Sequence, residues 1–128
     1  VVNLTPPSAR FSAIGGVSGT RGARMPRNAF AMKLKPGCAA EYEARHNRIW
    51  PELVAEMKAA GISRYSIFID ESSSTLFAVR TVNSESAAQA LKDKEIMRRW
   101  WDYMSDLMET NADKSPVSVP LREIFYLE

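Results

Sequence analysis

The chain has 128 residues, 45% of them hydrophobic and 25% charged, which is enough for one globular domain with its own core and too little for two ordinary ones. No apolar run approaches the roughly 20 residues that span a bilayer, and the single cysteine, Cys38, excludes an internal disulfide and fits a reducing compartment. The net charge of +2 arises in the first 27 residues, where Arg10, Arg21, Arg24 and Arg27 are the only charges; the other 13 basic residues face 15 acidic ones with no basic stripe to track a phosphate backbone, so neither nucleic acid nor a membrane is an expected partner.

Residues 1–27 are rich in Gly, Ser, Pro and Arg and show no period. They read as a poorly ordered extension, with Met25 available as a start. An Arg-rich, acid-free targeting segment is the other reading, although the apolar stretch of a secretory signal is missing and Pro6, Pro7, Gly15 and Gly16 disfavour an amphipathic transit helix.

From Asn28 the pattern becomes regular. Phe30, Met32 and Leu34 alternate with smaller or charged residues, which predicts a strand ended by Pro36-Gly37. Residues 39–59 carry Tyr42, His46, Trp50, Leu53 and Met57 at three- and four-residue steps and read as helical. Pro51 either kinks that helix or starts a second one, and Gly61 closes the segment. Residues 62–70 alternate again, with Tyr65, Ile67 and Ile69 on one face and Ser66, Phe68 and Asp70 on the other. A turn over 71–74 returns the chain into TLFAVRTV (75–82), completing a hairpin.

Asn83 or Ser84 is placed to cap a short helix through Lys92. Asp93 is placed to cap another that carries Ile96, Met97, Trp100, Trp101, Met104, Leu107 and Met108. A loop over 111–116 leads to a last strand over 117–127, with Phe125 and Leu127 on one face. The order β-α-β-β-α-β is the ferredoxin-like α+β plan, an antiparallel sheet with helices on one face. Phe68, Phe77 and Val79 make the other face partly apolar, so a sheet-to-sheet homodimer is expected.

His46 is the only histidine, and an unperturbed imidazole exchanges protons near neutral pH. Tyr42 and Trp50 lie four residues to either side and share its face if the helix is unbroken. Such a trio suits a small polar ligand with one apolar face, and it equally suits an aromatic core stripe holding a satisfied histidine. Trp100 and Trp101 point about 100° apart on a helix, so they divide between core and interface or form walls of a ligand site. One histidine and one distant cysteine make no metal set, and phosphate loops, nucleophile elbows and dinucleotide fingerprints are absent. Cys38 has no second histidine to serve as its base.

The segments EYEARHNRIWPEL (41–53), YSIFID (65–70), MRRWWDYMSDLM (97–108) and SPVSVPLREIFYLE (115–128) resemble the L-rhamnose mutarotase family over residues 28–128. The resemblance implies a dimeric ferredoxin-like, cytoplasmic isomerase without metal or organic cofactor. Such an enzyme interconverts the α and β pyranose anomers of L-rhamnose. It implies His46 as proton donor, Tyr42 and Tyr65 as substrate-binding residues, and Trp100 and Trp101 as the residues that close the site. This chain departs from the family in its long N-terminal stretch and in Asn111-Ala112-Asp113-Lys114-Ser115-Pro116, where the family often reads N-P-D-N-S-P. A small ferredoxin-like monooxygenase with His46 on haem, and a sugar-binding module without catalysis, are the rival readings.

Overall fold

The computed structural model describes residues 26–128. Its elements are β1 (Arg27–Lys33), α1 (Ala39–Asn47), α2 (Pro51–Ala59), β2 (Ile62–Asp70), β3 (Thr75–Val82), α3 (Glu85–Ala90), α4 (Glu95–Met104) and β4 (Ser118–Leu121). Single 3-10 turns follow α3 (Leu91–Asp93) and α4 (Ser105–Leu107). The four strands form one sheet in the order β2-β3-β1-β4, with every neighbouring pair antiparallel. This is the expected ferredoxin-like arrangement. The expectation for residues 1–25 lies outside the described residues, while Arg27 already belongs to β1, one residue ahead of the predicted strand.

Pro51 divides the long helical segment in two. The residue before a proline is pushed out of the helical region, and Trp50 is extended at φ −66°, ψ 128°. Proline then occupies the first turn of α2, where its missing N–H costs nothing. At the other end of α2, Gly61 adopts φ +83° and lies against Asn83; a Cβ there would stand 3.0 Å from the Asn83 Cβ. Glycine is required for both reasons.

Two of the later predictions need correction. Ser84 caps α3, its hydroxyl accepting from the Ala87 N–H at 3.2 Å, but Asp93 does not cap α4. Asp93 is spent in the 3-10 turn, and Lys94 takes the cap position without a side-chain bond. The last strand covers only Ser118–Leu121 rather than 117–127. Its ladder pairs Leu121 with Ala29, so β1 has only Asn28 and Arg27 left to offer the continuing chain. Phe125 and Leu127 therefore do not share a strand face; Phe125 is half-buried and Leu127 is 81% exposed. Pro120 is tolerated because β4 is an edge strand.

The sheet register sorts side chains by face. Pro120, Phe30, Ala78 and Ile67 form one row across the inner face, and Ser118, Met32, Leu76 and Ile69 form the next. The main core packs Met32, Leu34, Tyr42, Leu53, Leu76, Ala78, Trp100, Met104, Leu107 and Met108 between sheet and helices. Leu34, Leu53 and Leu76 are fully buried, each contributing roughly 1.5–3 kcal/mol relative to exposure. A smaller cluster of Ile62, Val82, Ala88 and Leu91 closes the sheet under α3. The outer face carries the row Val119, Ala31, Phe77, Phe68, with Phe68 64% exposed.

β2 is not regular. The ladder runs Ser63 to Thr81 and resumes at Ser66 to Val79, so Arg64 and Tyr65 together oppose the single residue Arg80. Arg64 takes φ 49° at this bulge, a conformation uncommon for a residue with a side chain. The extra residue shifts the strand's phase, which is why both Ile62 and Ile67 face inward although five positions separate them.

Candidate active site

A cleft of about 1590 Å³ opens between the inner face of the sheet and the helices. Small-molecule sites typically occupy roughly 300–1,000 Å³, so a monosaccharide would fill only part of it. His46, Tyr42, Tyr65, Trp100 and Trp101 all line it.

His46 sits in the last turn of α1, half-buried. Its ring lies 4.4 Å from the Tyr42 ring and meets Trp100 edge-on at 5.4 Å. The Nδ1 is 3.0 Å from the Tyr42 carbonyl oxygen. A carbonyl oxygen only accepts, so the proton is assigned to Nδ1, and Nε2 of the neutral ring is left as a proton acceptor. Nε2 has no hydrogen-bond partner among the described residues. Burial lowers the imidazole below its ordinary pKa of 6.5, opposed by the bond to Tyr42. The neutral, accepting form therefore dominates at pH 7.

Tyr42 is buried, and its phenol oxygen has no hydrogen-bond partner among the described residues. Burial pushes this phenol well above its ordinary range, and the nearby Tyr65 adds to the shift. Tyr65 keeps 36% of its surface open, yet crowding at its hydroxyl end raises its pKa, with Arg80 acting in the opposite sense. Both phenols stay protonated at neutral pH and can donate to ligand oxygens.

The break at Pro51 means that Trp50 does not share a continuous helix face with His46. It reaches the same cluster from the α2 cap, edge-on to Trp100 at 5.1 Å and stacked on Tyr103 at 5.6 Å. Trp100 is buried among these rings, whereas Trp101 is half-buried and makes no ring contact with His46 among the described residues. Among the described residues no group of three or more His, Cys, Asp or Glu side chains is placed to hold a metal.

Three residues were missed by the sequence reading. Arg45 donates from Nε to Glu41 at 2.9 Å, and from Nη1 and Nη2 to the two Asp106 oxygens at 2.9 and 3.2 Å. Its Nη1 also donates to the Tyr103 carbonyl at 2.6 Å, tying α1 to the end of α4. Arg80 and Asn28 lie opposite each other in the ladder and are bonded, Arg80 Nε donating to Asn28 Oδ1 at 2.9 Å. Both line the cleft. The signal for Arg80 was present: Leu76, Ala78 and Val82 alternate on the inner face, and Arg80 breaks that apolar alternation.

The family model of L-rhamnose mutarotase matches residues 27–127. The chain belongs to this family. It is 50% identical over 104 residues to the L-rhamnose mutarotase of Formosa agariphila, covering 81% of this chain and 100% of the relative. It is 51% identical over 104 residues to that of Bacteroides thetaiotaomicron, with the same shares. With that of Acidiphilium cryptum the identity is 54% over 103 residues, 80% of this chain and 99% of the relative. The crystal structure of the Formosa agariphila enzyme superposes with a TM-score of 0.74 at 48% identity, covering 80% of this chain and 99% of that one. A putative antibiotic biosynthesis monooxygenase from Caulobacter crescentus reaches 0.53 at 19% identity over 77% and 89% of the two chains, a likeness of fold alone. Family membership makes the chain an enzyme that interconverts sugar anomers.

Proposed function

We propose that this chain is an L-rhamnose mutarotase, an isomerase that interconverts the α and β pyranose anomers for sugar catabolism in the cytoplasm. The observation that carries the reading is His46, held by the Tyr42 carbonyl so that Nε2 is a neutral acceptor, near the Tyr42 phenol, with no partner among the described residues.

Mutarotation removes a proton from the anomeric hydroxyl and delivers one to the ring oxygen. The Nε2 of His46 takes the hydroxyl proton; the C1–O1 bond becomes a carbonyl as the bond from C1 to the ring oxygen breaks; and the ring oxygen takes the proton back from Nε2. Both oxygens are bonded to C1, so one imidazole can serve both. Rotation about C1–C2 followed by the reverse steps closes the other anomer. Acid–base catalysis of this kind supplies about 10²–10⁴-fold, and a reaction that already proceeds in water needs no covalent intermediate. Tyr42 and Tyr65 donate to sugar oxygens, and Trp100 and Trp101 wall the apolar side of the 6-deoxy ring. No step in this scheme uses a cofactor.

The working unit of this reading is a homodimer joined through the outer sheet face, supported by the apolar row of Phe68, Phe77, Ala31 and Val119, in which Phe68, Phe77 and Val119 are exposed. The cytoplasm is where a catabolic isomerase meets free L-rhamnose, and a single cysteine suits that compartment.

The test is anomer exchange on L-rhamnose by NMR saturation transfer, with wild type and His46→Ala. Wild type should accelerate exchange and the variant should lose about 10²-fold or more while keeping its fold. Unchanged exchange in the variant would refute the role of His46, and no acceleration by wild type would refute the function.

A further inference from the structure

Arg80 is a charged residue on the apolar inner face of a central strand, and its partners among the described residues, Asn28 and two aromatic rings, do not fill its donors. Its guanidinium carbon lies 5.3 Å from the Phe30 ring centroid and 5.8 Å from that of Tyr65. Among the described residues no carboxylate comes within ion-pair distance of it. Its Nε is satisfied by Asn28 at 2.9 Å, while neither Nη has an acceptor among the described residues. A half-buried guanidinium with unfilled donors is costly unless oxygen is supplied from outside the chain.

We propose that Arg80 is a substrate-binding residue of this cleft, its two Nη groups donating to adjacent oxygens of the sugar beside Tyr65. The inference rests on the mutarotase reading and adds a residue to it. Two features built into the sheet make the guanidinium a fixed fork. The Asn28 bond holds Nε and leaves both Nη groups to other acceptors. The β2 bulge sets Arg64 and Tyr65 together across from Arg80 and brings the Tyr65 ring against it. Two parallel N–H donors match the spacing of neighbouring hydroxyls on a pyranose, and a planar guanidinium loses little freedom in making both bonds. The absence of a counter-charge keeps those donors available. Tyr65, Arg80 and Asn28 then form one recognition edge of the cleft that His46 also lines.

The experiment measures L-rhamnose affinity by ligand-observed NMR, and exchange kcat and KM by saturation transfer, for wild type, Arg80→Met, Arg80→Lys and Asn28→Ala. The 2-, 3- and 4-deoxy analogues of L-rhamnose are included. Arg80→Met should weaken L-rhamnose binding about ten- to a hundredfold and raise KM accordingly, with a smaller change in kcat. Arg80→Lys should fall between, since it keeps charge and loses the fork, and Asn28→Ala should raise KM by about threefold to tenfold. At least one deoxy analogue should bind wild type more weakly than L-rhamnose but bind Arg80→Met equally well, a pattern that a purely structural arginine does not produce. Wild-type affinity and intact discrimination in Arg80→Met, or in Arg80→Lys and Asn28→Ala should Arg80→Met not fold, overturn the inference and leave the mutarotase reading standing. A wild type that neither binds L-rhamnose nor speeds its exchange overturns both.

Discussion

The His46 imidazole and the Tyr42 carbonyl, one helical turn apart, are joined by a 3.0 Å hydrogen bond, and the other ring nitrogen has no partner among the described residues. This bond selects the tautomer, and burial among aromatic rings keeps the ring uncharged at neutral pH.

A pH profile should report that environment. The proposed starting form is neutral His46, whose pKa lies below 6.5. Activity should therefore be level across pH 7–8 and fall on the acid side, with its midpoint under 6.5. Stability follows the same sign. The unfolded chain binds the proton more readily, so this residue favours the folded state above pH 6.5 and loses that contribution as pH falls toward the folded value. Exchange rates and melting curves between pH 4.5 and 8 check both. An acid limb centred above 6.5 contradicts the assignment.

Tyr42→Phe separates site from core. The buried phenol oxygen has no partner among the described residues, so removing it should leave the melting temperature unchanged or slightly higher. Exchange should fall about tenfold or more as the sugar loses a donor. A lowered melting temperature with full activity would mark the tyrosine as a packing residue.

Arg45→Met tests whether the tie between α1 and α4 positions the imidazole. Arg45 precedes His46 directly and holds Asp106, Glu41 and the Tyr103 carbonyl. Loss of the tie should reduce kcat roughly tenfold, since small displacements of a reacting group are expensive. The melting temperature should fall as well. The same variant at low temperature, where the fold is fully populated, shows whether the loss of rate outlasts the loss of stability.

The outer face should respond to charge. Phe68 is 64% exposed and ends the apolar row across all four strands. Phe68→Glu should shift the chain from dimer to monomer in sedimentation velocity at micromolar concentration. A wild-type monomer, or a variant that still dimerises, removes this face as the interface.

Much of this was legible beforehand, and the misses have identifiable causes. The alternation of Phe30, Met32 and Leu34 and the Leu76–Val82 run encode the central strands, because a half-buried strand must alternate. His46, Tyr42, Tyr65, Trp100 and Trp101 all line one cleft. Trp50 arrives there by an unforeseen route, since Pro51 breaks the helix and cap geometry sets the ring's direction. The last strand was overextended because alternation in 122–127 continues past the point where β1 can pair with it. Arg80 was visible as a break in the Leu76–Val82 alternation, whereas Asn28 escaped because its significance lies in pairing with Arg80 across strands, 52 residues away, which no local pattern reports.

The bulge at Arg64 and Tyr65 has an evolutionary consequence. A strand that carried one residue fewer there would pair with β3 in one regular register, and Ile62 and Ile67, then four positions apart, would both still face inward. Such a deletion would instead remove the doubled residue across from Arg80. The core would tolerate a shortening that rearranges the edge of the cleft at Tyr65. Selection on the length of this strand therefore acts through the cleft and not through the core.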